Sequence, residues 1–187
     1  MAELKVLVIC GSLRKGSYNA ALARALPALA PPEMKLIAAP SIGVFPLYNA
    51  DVPEASGFPA PANELADAIR AADAVLFVSP EYNWSMPGVL KNAIDWVSRL
   101  KDQPFKDKPV AIQSCSMGIL GGARMQYHWR MTMTFLQAFI FGTPEVFVAQ
   151  AQNKFAKDTL ELTDQPTRDM VKMQLAAFAK FIERVKA

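Results

Sequence analysis

The sequence is poor in the residues that mark a secreted protein or a metal centre. Its 187 residues include two cysteines and one histidine, which form neither a disulfide framework nor the Cys/His spacing of a zinc site. No apolar run reaches the roughly 18 residues that a membrane-spanning helix needs. The formal charge is only +3, without the Lys/Arg run of a nucleic-acid-binding protein. These absences argue against a metal site, a membrane protein and a nucleic-acid partner.

The sequence does contain enough apolar material for one domain. Apolar residues make up 52% and charged residues 20%, which is typical of a globular fold, and the length suits a single domain over 1–187. The N-terminus runs directly into an apolar segment, without the charged region and cleavage site of a signal peptide. Together with the scarcity of cysteine, this predicts a protein of the reducing cytoplasm.

Apolar runs alternate with amphipathic segments, and this alternation predicts a doubly wound α/β fold. Strands are predicted at Leu4–Ile9, Met34–Ala38, Ala74–Ser79, Val110–Ser114 and Glu145–Ala149. Helices are predicted at Asn19–Ala28, Ala62–Ala71, Pro87–Ser98, Ala123–Phe139 and Thr167–Val185. Five strands and five helices match a flavodoxin-like parallel sheet in the order 2-1-3-4-5, which binds ligands beyond the carboxyl ends of its strands. The long segment Pro40–Pro61 is predicted to be either a functional loop or a partner-facing one. Its apolar residues Val44, Phe45, Leu47 and Tyr48 are expected to pack against another surface.

The most informative segment is Gly11–Asn19, between the first predicted strand and the first predicted helix. A helix start leaves backbone N–H groups without partners and carries partial positive charge, so it suits an anion. Ser12, Ser17 and Asn19 add neutral donors, and Arg14 adds a cation suited to phosphate oxygens. The segment lacks the Gly-x-Gly-x-x-Gly of dinucleotide folds and the Gly-Lys-Ser/Thr of a nucleotide P-loop. A terminal monophosphate, such as that of FMN, is therefore the predicted ligand.

Two more loops leave the same predicted sheet edge. Pro80–Gly88 is stiffened by two prolines, and its Tyr82 and Trp84 offer flat faces for an aromatic ligand. Cys115–Gly122 is rich in glycine, which lets the backbone approach a ligand closely. The three loops together predict a flavin, with its phosphate at the first loop and its ring at the other two.

With these loops the chain resembles the NAD(P)H-dependent FMN reductase family, and within it the bacterial soluble quinone reductases also described as chromate reductases. The resemblance rests on four motifs in order, at Gly11–Asn19, Pro80–Asn83, Lys91–Trp96 and Ser114–His128. It implies bound FMN, a hydride passed from NADH or NADPH to the flavin N5, and ping-pong transfer to quinones. Chromate, other metal oxyanions and azo compounds are further acceptors that it implies.

The resemblance also assigns residues to the FMN site, but no catalytic side chain, because the chemistry is on the flavin. The residues that it implies at the phosphate end are Ser12, Arg14, Ser17, Tyr18 and Asn19. The residues that it implies around the ring are Pro80, Glu81, Tyr82, Asn83, Ser116 and Gly118. Glu81 is expected to act through its backbone, since transfer to a flavin needs no protein acid.

The resemblance further implies a homodimer or homotetramer. The apolar loop Phe45–Tyr48 and the stretch Arg124–Arg130 are expected to bury surface between subunits. Trp84 stands where the family usually has tyrosine, so an interface contact through a hydroxyl is not expected there. His128, the one histidine, is expected on a helix surface or at an interface, and a redox role is the less favoured interpretation of Cys115.

Two other functions fit the same loops. A flavodoxin-type electron carrier would bind FMN without reacting with NAD(P)H, but such carriers are typically acidic, whereas this chain carries +3. A flavin reductase would release reduced FMN to a monooxygenase. Retention of the flavin through gel filtration would disfavour the second alternative.

Overall fold

The computed structural model describes residues 3–186. These residues form a parallel β-sheet with helices packed on both of its faces. Its strands are β1 (Leu4–Cys10), β2 (Met34–Ala38), β3 (Ala74–Ser79), β4 (Pro109–Cys115), β5 (Phe139–Ile140) and β6 (Val146–Val148). Its α-helices are α1 (Tyr18–Ala25), α2 (Asp51–Ser56), α3 (Ala60–Ala71), α4 (Gly88–Val97), α5 (Ala123–Phe135) and α6 (Gln165–Lys186). Short 3₁₀ turns lie at Leu26–Ala28, Ile42–Val44 and Ala151–Asn153.

The strand order confirms the predicted flavodoxin-like topology. The order is β2-β1-β3-β4-β5, β6 also pairs with β4, and each of these pairings is parallel. β3 and β4 are buried along their whole length, as the near-continuous apolar runs of strands covered on both faces indicate. Alternate side chains of β1 supply two cores: Val8 packs with α1 and α6, and Ile9 packs with α3, α4 and α5.

The edge beside β4 differs from the prediction. The predicted strand Glu145–Ala149 is the shorter β6, which pairs with the end of β4. A second piece, β5, pairs with the start of β4. The predicted fifth strand is therefore interrupted, and the sheet has six strands over the described residues. A two-residue strand is too short to produce the alternating pattern by which strands are recognised in a sequence.

The predicted helix Ala123–Phe139 is too long, because α5 ends at Phe135. Gln137 has φ 59°, a left-handed conformation that stops the helix. Its N–H donates to the Thr134 carbonyl, and the next N–H, that of Ala138, donates to the Met133 carbonyl, both at 3.0 Å. This is a Schellman motif, and it turns the chain directly into β5.

The segment Pro40–Pro61 lies against α4. Phe45 packs against the core there, whereas Val44 and Leu47 are 61% and 86% exposed, so the expected packing holds for only part of the loop. Asn92 Nδ2 and Trp96 Nε1 both donate to the Pro46 carbonyl at 2.8 Å, and the Tyr48 N–H donates to Asn92 Oδ1 at 2.8 Å. The segment also contains α2, which the sequence did not indicate. These bonds give Asn92 a structural role.

The structure can be examined for membrane-spanning helices, metal-binding clusters and disulfide bonds. Within residues 3–186, no helix is both long enough and apolar enough to cross a bilayer. The same stretch contains no group of three or more His, Cys, Asp or Glu side chains that could hold a metal ion. Cys10 and Cys115 both carry free thiols.

Candidate functional site

The first and second loops meet where β1 and β3 end. The Gly11 N–H donates to the Val78 carbonyl at 2.9 Å. A Cβ at Gly11 would lie 2.9 Å from Ser79 Oγ and 3.2 Å from Pro80 Cδ. No larger residue fits without displacing these atoms, so glycine allows the two loops to start in contact.

The first loop, residues 11–17, has the features of an anion site. Ser17 is the N-cap of α1, and its Oγ accepts a hydrogen bond from the Ala20 N–H at 3.2 Å, which leaves the hydroxyl proton for a ligand. The Ser17 N–H donates to the Arg14 carbonyl at 3.1 Å and closes the turn. The backbone N–H groups of residues 12–16 donate to no residue between 3 and 186. With the exposed Arg14 side chain, these donors suit a phosphate at a helix start.

Two residues assigned to the phosphate end make other contacts. The Asn19 side chain is buried, and it exchanges two hydrogen bonds with the backbone of Cys115. The Tyr18 ring packs against Phe155, with the ring centroids 5.4 Å apart. Asn19 therefore links the start of α1 to Cys115, and Tyr18 packs against the core. Neither side chain contacts only the anion loop, residues 11–17.

The second loop is held as a tight two-residue turn. The N–H groups of Tyr82 and Ser85 each donate to the carbonyl of the other residue at 2.9 Å. Asn83 and Trp84, between them, have φ 51° and 63°, the left-handed pair of a type I′ turn. A bulky residue is uncommon in this conformation, so the surrounding contacts must hold Trp84 there.

Side chains of α5 hold this turn in place. Ser85 Oγ lies 2.8 Å from His128 Nδ1. The Arg124 guanidinium lies 4.2 Å from the centroid of the Trp84 ring, a cation–π contact. The structural role expected for His128 is thus a hydrogen bond to the turn. Tyr82 remains 49% exposed, which suits an aromatic side chain that stacks on a flat ligand.

Glu81 acts through its carboxylate as well as through its position in the loop. Its Oε2 accepts a hydrogen bond from the Met125 N–H at 3.0 Å, in the first turn of α5. A carboxylate satisfies an unpaired N–H there and complements the helix dipole. Glu81 therefore joins the second loop to the helix that follows the third loop.

The third loop, residues 116–122, depends on a buried polar network. Ser114 Oγ donates to the Gly121 carbonyl at 2.6 Å and accepts a hydrogen bond from Gln126 Nε2 at 2.8 Å. Gly121 and Gly122 have φ 58° and 89°. A Cβ at Gly121 would lie 2.7 Å from the backbone of Phe147, so the loop needs glycine there. These contacts fix the backbone conformation of the loop that contains Ser116 and Gly118.

Neither thiol at this edge is activated. Burial raises the pKa of the Cys115 thiol to about 12. Burial also raises the pKa of Cys10, against the opposing effects of the Ser12 backbone and the Arg24 charge. Because the thiolate is the reactive form, the structure supports packing roles for both cysteines.

The residues at this edge fit a flavin mononucleotide. The first loop supplies unpaired N–H groups and a cation for a phosphate, the second presents an exposed aromatic face, and the third brings glycine backbone close. These features lie at the ends of adjacent parallel strands, where flavodoxin-like folds bind their ligands. Fold and site together define a flavodoxin-like flavoprotein.

Comparison with known proteins identifies the family within this class. The family model for NADPH-dependent FMN reductases matches residues 4–153, which include all three loops. The chain belongs to the NADPH-dependent FMN reductase family. Membership of this family implies FMN as the cofactor and NAD(P)H as the co-substrate.

Individual relatives match over almost the whole chain. A quinone reductase of Escherichia coli is 53% identical over 184 residues, covering 98% of each chain. An NAD(P)H-dependent FMN reductase of Pseudomonas aeruginosa is 47% identical, also covering 98% of each chain. Among solved structures, the flavoenzyme NAD(P)H:(acceptor) oxidoreductase FerB of Paracoccus denitrificans superposes with a TM-score of 0.85 at 34% identity, covering 97% of this chain and 98% of that one.

Proposed function

We propose that the protein is an FMN-dependent NAD(P)H:quinone oxidoreductase. The observation that carries the proposal is the meeting of an anion loop, an aromatic turn and a glycine loop at one sheet edge. The names of the relatives support quinones as acceptors: besides the Escherichia coli quinone reductase, a 2-hydroxy-1,4-benzoquinone reductase of a Burkholderia species is 37% identical over 180 residues. The geometry of the three loops supports the flavin site, and the names of these relatives support the acceptor.

Each loop has a distinct role in this proposal. Ser12, Arg14 and Ser17 bind the FMN phosphate, with Tyr18 and Asn19 supporting the helix turn behind them. The residues that would hold the ring are Pro80, Glu81, Tyr82 and Asn83 of the second loop, with Ser116 and Gly118 of the third. No side chain is assigned to acid–base chemistry. The arrangement is supported by the exposure of the second and third loops beside the buried start of α1.

The chain supplies binding and orientation, and the cofactor supplies the redox chemistry. FMN held there would supply the redox centre between NAD(P)H and the acceptor. Backbone N–H groups of the third loop would stabilise negative charge at the ring end of the site. NAD(P)H and the acceptor use the same open edge in turn, which gives ping-pong kinetics.

Quinones are the proposed main acceptors, and chromate, other metal oxyanions and azo compounds are proposed as further ones. The support for a broad range is the openness of the edge, where Tyr82 and Met117 are both exposed. A flat, exposed platform discriminates less by shape than an enclosed pocket does.

Steady-state kinetics tests the acceptor and the order of binding together. NADH or NADPH is varied at several fixed concentrations of a benzoquinone, and then of chromate. Parallel double-reciprocal lines with the quinone are expected. Intersecting lines would overturn the ping-pong order, and absence of quinone turnover in the flavin-loaded protein would overturn the proposed function.

We also propose that the protein assembles as a homodimer or homotetramer through the α4–α5 surface. A groove between these helices is lined by Met131 and Phe135 among others, and these two side chains are 65% and 75% exposed. The neighbouring loop presents Leu47, which is 86% exposed. Such a concentration of exposed apolar side chains marks an interaction surface. A monomer by sedimentation at micromolar concentration would exclude this assembly.

A further inference from the structure

The side chain of Asn19 joins two loops that lie far apart in the sequence. Asn19 lies in the first turn of α1, just after the N-cap Ser17, and is only 4% exposed. Its Nδ2 donates to the Cys115 carbonyl at 2.8 Å, and the Cys115 N–H donates to its Oδ1 at 3.0 Å. A backbone N–H only donates and a carbonyl only accepts, so these two bonds define the orientation of the amide.

This pair of bonds lies where β3 ends. Ser79, the last residue of β3, lies opposite Ser114 of β4, and Pro80 follows with no N–H to donate. Because β3 ends at Ser79, the backbone of Cys115 has no strand residue of β3 to pair with. The Asn19 amide takes the place of a strand peptide and satisfies the buried backbone of Cys115.

One turn of α1 is thus attached to both ends of the proposed flavin site. The N–H groups of residues 12–16 and the N-cap Ser17 lie at its start. Through Asn19 the same turn is bonded to Cys115, the residue directly before the third loop. Across residues 3–186, no other hydrogen bond links residues 11–25 with residues 114–122. Within that stretch, the hydrogen-bonded connection between the phosphate loop and the third loop therefore depends on a single side chain.

We propose that Asn19 is a positioning residue that couples the two ends of the FMN site. Occupation of the phosphate loop orders the first turn of α1, and Asn19 transmits that order to the third loop, which contacts the ring. The inference rests on the proposed FMN site. Its consequence is a coupling free energy: the phosphate group strengthens flavin binding more when Asn19 is present than when it is absent.

The test compares FMN with riboflavin, which has the same ring but no phosphate. Dissociation constants of both flavins are measured by fluorescence for the apo forms of the wild type and of Asn19→Ala. We expect the ratio of FMN affinity to riboflavin affinity to fall by roughly tenfold in the variant. The affinity for inorganic phosphate alone should change much less than the affinity for FMN, because Asn19 is proposed to act through Cys115 rather than on the phosphate.

Gln174→Ala is the matched control for loss of a buried amide. Gln174 lies on α6, away from the three loops, and accepts a hydrogen bond from Gln113 Nε2 at 2.8 Å. Its loss should lower the Tm without changing the FMN-to-riboflavin ratio. If Asn19→Ala behaves in the same way, Asn19 is merely structural and the proposal is wrong. If affinity for inorganic phosphate falls as much as affinity for FMN, Asn19 is a direct ligand and the proposal is also wrong.

A measurement on the wild type covers the case in which Asn19→Ala does not fold. Hydrogen exchange is followed in the apo protein with and without saturating inorganic phosphate. Phosphate should slow exchange over residues 115–122 and leave residues 157–163 unchanged, and equal exchange over 115–122 would overturn the coupling. If the wild type binds neither flavin, the proposed function fails. If it binds FMN but the ratio is insensitive to Asn19, only this inference fails.

Discussion

At the residue scale, Arg14 carries the positive charge proposed to meet the FMN phosphate. A hydrogen bond to a charged group contributes roughly 1.5–3 kcal/mol, so Arg14→Ala should weaken FMN binding by about 10- to 100-fold and riboflavin binding much less. Lys180→Ala, which removes an exposed charge on α6, is the control. Fluorescence titration measures both, and unchanged FMN affinity in Arg14→Ala would remove the phosphate role.

Glu81 is the residue whose side chain joins the second loop to α5. Glu81→Ala leaves the Met125 N–H without its acceptor, so we expect the free energy of unfolding to fall by about 1 kcal/mol. Glu81→Gln retains an acceptor oxygen and should cost less. Urea unfolding of the two variants measures the difference, with Glu64→Ala on the exposed face of α3 as control. Equal stability of Glu81→Ala and the wild type would contradict the contact.

The two thiols should be unreactive in the folded protein. Since burial raises the pKa of Cys115 to about 12 and also raises that of Cys10, very little thiolate is present at pH 8. A thiol reagent should therefore label the native protein slowly and the guanidinium-unfolded protein rapidly at both positions. Rapid native labelling of Cys115, identified by peptide mass, would reopen a redox role.

The sequence indicated the type of site better than the roles of single side chains. The importance of Ser17 could be predicted because an N-cap at a strand–turn–helix junction has a local signature. The phosphate role of Arg14 stays a prediction. Asn19, Glu81 and Gln126 could not be assigned in this way, since each contacts a partner distant in the sequence. A buried side-chain amide and a solvent-exposed one look the same in a sequence. Only the three-dimensional structure shows which of the two a given asparagine or glutamine is.

At the scale of elements, α5 ends at a residue whose backbone conformation is unfavourable for its type. Gln137 is exposed and adopts φ 59°, a conformation that is unfavourable for residues with a Cβ. Gln137→Gly should raise the free energy of unfolding by about 1 kcal/mol, whereas Gln137→Val should lower it. Thermal or urea unfolding checks both variants, and a destabilising glycine would argue against this helix end.

The longer strands could be predicted well and the shortest elements poorly. β1, β3 and β4 are apolar runs whose pattern does not depend on neighbours, and the edge strand β2 has the predicted bounds. β5 and α2 are too short to show a periodic pattern, and β5 is defined by its pairing with β4. The helix end at Phe135 was missed because no glycine marks it; glutamine takes the left-handed position instead.

At the scale of the whole molecule, an ion pair opposite the flavin edge ties the C-terminal helix to the sheet. Lys186 of α6 pairs with Asp73, just before β3. Burial raises the pKa of the Asp73 carboxyl, but hydrogen bonds from Lys186 and from the Lys5 N–H outweigh it, so the pKa lies below its ordinary value. A lowered carboxyl pKa stabilises the fold above the unfolded-state pKa, and that stabilisation is lost as the pH falls through the folded-state pKa.

The stability difference between the wild type and Asp73→Asn should therefore be largest near neutral pH and shrink below about pH 4. Urea unfolding at a series of pH values measures this difference. Asp102→Asn, at an exposed position, should show no such trend. A difference that stays constant between pH 3 and pH 7 would contradict the ion pair's contribution.

The central claim is that three loops at one sheet edge hold a flavin that reacts directly with NAD(P)H. Anaerobic mixing of the FMN-loaded protein with NADPH or NADH, with no partner reductase present, tests it most directly. We expect the flavin to be retained through gel filtration and its visible absorption to bleach on mixing. A protein that binds no FMN would contradict the site, and one that binds FMN but does not bleach would be an electron carrier instead.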